Sequence, residues 1–84
     1  MLFHDILRGM SYFFQVKFRP EPEGGFTVLV PSLPGCVTYG KTLEEAQKMA
    51  QEAIEIYVES MKAHGDDIID DTHTFDTRIH VAVA

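Results

Sequence analysis

The densest group of side chains able to act on another molecule is the run Asp66-Asp67-Ile68-Ile69-Asp70-Asp71. Its carboxylates, Asp66, Asp67, Asp70 and Asp71, could meet lysines and arginines on a basic partner through steering and charge complementarity. The same residues could equally form a solvated connector that keeps an exposed loop soluble. Both readings stand on sequence alone. An EF-hand is excluded, because the run lacks the Asp-x-Asp-x-Asp-Gly spacing and the closing glutamate.

No other constellation points to catalysis or to a cofactor. The histidines, His4, His64, His73 and His80, are scattered, whereas a zinc site wants two ligands at short spacing on one element. His64 falls where the dipole of a helix C-terminus favours it. The single cysteine, Cys36, cannot form an intramolecular disulfide; with no histidine or lysine beside it, it reads as a small buried hydrophobe suited to a reducing cytoplasm. Two-metal phosphoryl cleavage needs converging carboxylates around ions about 4 Å apart, and the first candidate strand, residues 12–19, holds no acid. Glu44 and Glu45 open a helix, where capping and the dipole account for them. Gly24-Gly25 precedes no helix, so it reads as a turn rather than a phosphate cradle. Ser-His-Asp and Gly-x-Ser-x-Gly contexts are missing as well.

The elements that must position these groups centre on residues 42–65. Thr42 is a good N-cap, Glu45 stands at the third helical position, and Gly65 can take the left-handed C′ conformation. On a helical wheel Leu43, Ala46, Ala50, Ala53, Ile54, Tyr57 and Met61 fall within about 100° of arc, the width of a core-facing stripe. Glu45, Lys48, Gln51, Glu52, Glu55, Glu59 and Lys62 lie opposite. Met49 and Ile56 sit off the stripe, at about 240° and 220°; they could pack beneath the terminal segments or form a self-association patch. A helix of this length is marginal alone in water and needs a sheet to lie on.

Alternation supplies that sheet. Tyr12, Phe14, Val16 and Phe18 give one dry strand face, and Phe26, Val28 and Val30 the next. Pro20-Glu21-Pro22-Glu23-Gly24-Gly25 turns between them, so the first two strands form an antiparallel hairpin. A Pro31–Cys36 loop and a short strand at 37–39 lead to the helix. Residues 75–84 read as a last strand, with Phe75, Ile79, Val81 and Val83 on its dry face. Residues 1–10 read as a short helix or tail, not a signal peptide.

The series Glu23-Gly24-Gly25-Phe26-Thr27-Val28, Val30-Pro31-Ser32-Leu33-Pro34-Gly35-Cys36-Val37 and Gly40-Lys41-Thr42-Leu43-Glu44-Glu45-Ala46 resembles the HicB antitoxin family. The match continues through Ala50, Glu52, Ala53, Ile54 and Tyr57, so the resemblance covers about residues 13–69. It implies a truncated ribonuclease-H-like β-β-β-α-β unit that neutralises a small HicA-type mRNA-cleaving toxin by covering its active surface. Many members carry a further C-terminal DNA-binding segment. Residues 66–84 are too few for one, so direct nucleic-acid binding and operon repression are not expected of this chain alone.

Length and composition agree with one α+β domain over residues 1–84. A chain of 84 residues buries only about 60–65% of its extended surface, which makes self-association, as a dimer or tetramer, an expectation. The net charge of -6 argues against sequence-independent nucleic-acid binding and suits a basic partner, although solubility alone also favours such a balance. No apolar run reaches the 18 or more residues of a membrane span. The expected role is thus a non-catalytic cytoplasmic antitoxin. Its rivals are a homo-oligomeric binding domain without a toxin and a double-stranded-RNA-binding-like module; the latter would need lysines at a helix N-terminus, where this chain has Glu44 and Glu45.

Overall fold

The structure, a computed structural model, describes residues 11–84. The short helix or tail expected at residues 1–10 lies outside the described residues.

Three strands, β1 (Lys17–Pro20), β2 (Phe26–Leu29) and β3 (Val37–Gly40), form an antiparallel sheet in the order β1-β2-β3. Lys17 faces Leu29 and Arg19 faces Thr27 in the first pair; Val28 faces Thr38 in the second. The first turn closes through the Glu21 N–H on Gly25 O at 3.0 Å. Gly25 holds a φ of 78°, and a Cβ there would overlap the Tyr39 ring, whose hydroxyl donates to Gly24 O at 3.0 Å. Only glycine fits that position.

Helix α1 (Leu43–Ala63) lies on one sheet face. The Thr42 hydroxyl accepts the Glu45 N–H at 3.0 Å, as the sequence predicts, while the Glu45 carboxylate reaches the Lys41 N–H, one residue before the cap. At the other end Gly65, at φ 73°, completes a Schellman motif: the Asp66 N–H donates to Met61 O at 2.9 Å and the Gly65 N–H to Lys62 O at 3.1 Å.

The core is small and divided. Val28, Ala46 and Ala50 form one buried cluster beneath the helix, flanked by Val16, Phe18 and Phe26. Val30, Leu33 and Cys36 form the other, flanked by Phe14, Ile54, Tyr57 and Met61. The expected stripe therefore holds from Ala46 onward. Leu43, in the first helical turn, is half exposed instead.

Two strand expectations need correction. The first strand enters the ladder only at Lys17, not at residue 12, because β2 ends before Pro31, which has no N–H to offer. The observed order is β-β-β-α, and the last strand expected at 75–84 pairs with nothing among the described residues. Every residue from 72 to 84 is exposed, including the supposed dry face Phe75, Ile79, Val81 and Val83. Alternation marks that segment as able to bury one side; it does not supply the edge to bury it on.

Candidate partner-binding surface

The acidic turn divides into two pairs with opposite orientations. Asp66 and Asp67 follow the helix C-terminus and are exposed. Asp70 and Asp71 turn inward and act on the chain itself. Phe13 donates its N–H to Asp70 Oδ2 at 2.9 Å, and the Thr72 hydroxyl donates to the same oxygen at 2.8 Å. Asp71, only 8% exposed, receives the Ser32 hydroxyl on Oδ1 at 2.6 Å and the Gln15 N–H on Oδ2 at 2.9 Å. Its own N–H donates to Phe13 O at 2.7 Å. These aspartates thus stand opposite Phe13 and Gln15 where β2 has turned away at Pro31.

Donors around a carboxylate stabilise its charged form. The Phe13 N–H, followed by the Thr72 hydroxyl, holds the Asp70 carboxyl below its ordinary range. The Ser32 hydroxyl, followed by the Gln15 N–H, does the same for Asp71. Buried Cys36 moves the other way, its thiol pushed up by desolvation, which leaves little of the reactive thiolate.

The outward face of α1 prolongs the charge of Asp66 and Asp67. Glu44, Glu45, Glu52, Glu55 and Glu59 are exposed along it, against Lys48 and Lys62. A cationic surface would meet a ridge of carboxylates about 30 Å long on a helix of 21 residues. Ile56 is exposed on the helix flank, and Met49, two turns earlier, is half-buried. His64 caps the helix with its Nδ1 2.7 Å from Ser60 O; His73 and His80 stand exposed in the C-terminal segment. Among the described residues no three His, Cys, Asp or Glu side chains converge as metal ligands would, and no helix is long and apolar enough to cross a membrane.

Sequence reasoning missed two contacts that shape this surface. Ser32 is one, as the partner of Asp71. The other is the Tyr57 hydroxyl, which donates to Pro34 O at 2.7 Å and pins the proline loop to the helix.

Residues 14–80, spanning the sheet, the helix and the acidic turn, match the family model described as the HicB_like antitoxin of bacterial toxin-antitoxin systems. Among similar proteins is a UPF0150 protein of Thermoplasma acidophilum, 44% identical over 55 residues that make up 66% of this chain and 80% of that protein. A UPF0150 protein of Archaeoglobus fulgidus is 43% identical over 49 residues, 58% of this chain and 71% of its own length. The protein named Antitoxin HicB 1 of Photorhabdus laumondii is 41% identical over 49 residues, 58% of this chain but 30% of that protein.

Proposed function

The chain belongs to the HicB-like antitoxin family, and from that premise we propose that it is the antitoxin of a toxin–antitoxin pair, binding a small basic HicA-type mRNA-cleaving toxin in the cytoplasm and blocking RNA entry without catalysis of its own. An RNA-cleaving enzyme must itself present cations to phosphates. The observation that carries the reading is the acidic ridge of α1, continued by the exposed pair Asp66 and Asp67. In this proposal the ridge faces the toxin, Asp70 and Asp71 contribute by holding the turn in place, and Met49 with Ile56 forms an apolar margin open to a further chain. The truncated ribonuclease-H-like architecture belongs to the same proposal.

Co-expression of the chain with a small basic reading frame adjacent to its gene tests it. The two proteins should co-purify, RNA cleavage by the toxin should stop on mixing, and affinity should fall as salt rises. Cleavage of RNA by this chain alone, or no complex with such a toxin, would refute the proposal.

A further inference from the structure

Among the described residues the outer edge of β1 is open. The Glu21 N–H donates to Gly25 O, and Arg19↔Thr27 and Lys17↔Leu29 continue the same parity, so these residues direct their backbone groups toward β2. Phe13 and Gln15 share that parity, and theirs meet Asp70 and Asp71 on the β2 side. The alternate residues Phe14, Val16 and Phe18 therefore turn N–H and C=O outward, where no backbone group of the described residues pairs with them. Pro20, next in the outward series, has no N–H to leave unpaired, as suits an edge.

Beside that edge, between it and α1, runs a groove of about 420 Å³ lined by Tyr12, Phe14, Val16, Phe18 and Ile54, with the exposed Gln51 on its helix side. The five larger apolar side chains are only partly buried. The same molecule carries an alternating segment unpaired among the described residues: Ile79 is 80%, Val81 69% and Val83 86% exposed, all on one side of it. Asp76–Arg78 share a cavity with Gln15, Lys17 and Pro31, and Gln15 Nε2 donates to Thr74 O at 3.1 Å. Gln15 and Lys17 alternate with Val16 and Phe18, which pack toward the helix, so the segment leaves along the sheet face away from its own groove.

We propose that residues 75–84 form a donor strand that adds to the outer edge of β1 in a second copy of this chain, seating Ile79, Val81 and Val83 in the groove against that copy's helix, with the exchange reciprocal. The lengths agree: ten residues at roughly 3.3 Å each span about 33 Å, enough to follow residues 12–20. The charges agree as well. Asp76 and Arg78 offset one another, so a nearly neutral segment meets a groove with no charged side chain in its lining; a cationic toxin would find little there. Donor and acceptor lie on the same chain in equal number, and a two-fold axis satisfies both at once. Ile79, Val81 and Val83, at roughly 100 Å² apiece with an equal area of groove beneath them, bury roughly 600 Å² in each direction and roughly 1,200 Å² in both, the lower end of the range for stable interfaces. Backbone pairing along the edge would supply the rest.

Sedimentation of the full chain at micromolar concentration is expected to give a dimer. Ile79→Asp and Val81→Asp change exposed positions, so the helical circular dichroism should persist while the dimer weakens by about 100-fold or more. For geometry, full-length Gln51→Cys and Val81→Cys variants are mixed under mild oxidation. A disulfide should join one of each and form in neither variant alone, and buried Cys36 does not compete. A monomeric wild type or a dimer indifferent to Ile79→Asp would overturn the proposal. So would Val81→Cys linking to itself, which would mean that the two segments pair with each other instead. None of these readouts involves a toxin, so they stand or fall separately from the proposed antitoxin role.

Discussion

The Ser32 hydroxyl donates to the Asp71 carboxylate at 2.6 Å, joining two loops 39 residues apart in the chain. Through its other oxygen and its own N–H, Asp71 also holds Gln15 and Phe13. One aspartate thus fastens the entry to β1, the loop after β2 and the chain beyond α1, where β2 has turned away from Phe13 and Gln15.

Removing that carboxylate should cost more than its size suggests. Asp71→Ala leaves the Ser32 hydroxyl and the Gln15 N–H without an acceptor, and a buried donor left unmade costs about 1–3 kcal/mol. A total loss of about 2–4 kcal/mol is expected for Asp71→Ala, and about half of that for Asp71→Asn, which keeps one acceptor oxygen. Urea unfolding followed at the helical band, at fixed protein concentration, measures both.

The same groups set the acid limit of the fold. Asp70, Asp71 and Glu21 all titrate below their ordinary values in the folded chain; for Glu21 the Thr27 hydroxyl leads, followed by Arg19. Unfolded, such groups titrate near about 3.9 for Asp and about 4.3 for Glu. The unfolded state therefore binds more protons in that range, and the stabilisation is complete above it. It is lost as pH falls through the lowered folded values. Urea midpoints should stay level from neutrality to about pH 5 and fall below pH 4, with a shallower fall in Asp71→Asn.

Glycine positions should rank by what surrounds them. A Cβ on Gly40 would overlap the backbone of Ala46, where β3 and the helix make their closest approach, and Ala46 is fully buried. Gly65 has open space around it and only its φ of 73° to defend. Gly40→Ala should therefore destabilise by about 1–3 kcal/mol, through displacement of the helix, and Gly65→Ala by about 1 kcal/mol. Thermal midpoints of the two variants, compared with wild type, give the order.

These relationships differ in how far sequence could show them. Thr42, Glu45 and Gly65 mark the helix because capping and stopping are local, decided within four residues. Periodicity also identified Val16, Val28, Ala46 and Ala50 as inward-facing. It placed the start of the first strand too early, since pairing depends on the partner, and Pro31 removes that partner. The alternation of residues 75–84 is real, but a period of two says only that one side can be buried, not against what. The contact between Ser32 and Asp71 was out of reach: a serine in a loop and an aspartate in an acidic run carry no mark of each other until the fold brings them within 3 Å. Hence four aspartates that look equivalent in sequence have two different surroundings.

That difference separates partner binding from folding. Asp66 and Asp67 are exposed and their side chains hold no hydrogen bond or ion pair among the described residues, so Asp66→Asn with Asp67→Asn should leave the urea midpoint unchanged. Exposed charge pairs contribute about 0.2–1 kcal/mol each, so the double variant should bind a basic toxin about 2–30-fold more weakly in low salt. The gap should narrow at higher ionic strength as screening sets in. Asp70→Asn with Asp71→Asn should lower the midpoint first, and its toxin affinity, measured by calorimetry where the variant is still folded, should match wild type. Equal losses of affinity from both pairs with no change in midpoint would mean that the inward pair reaches the toxin after all, and that the turn rearranges on binding.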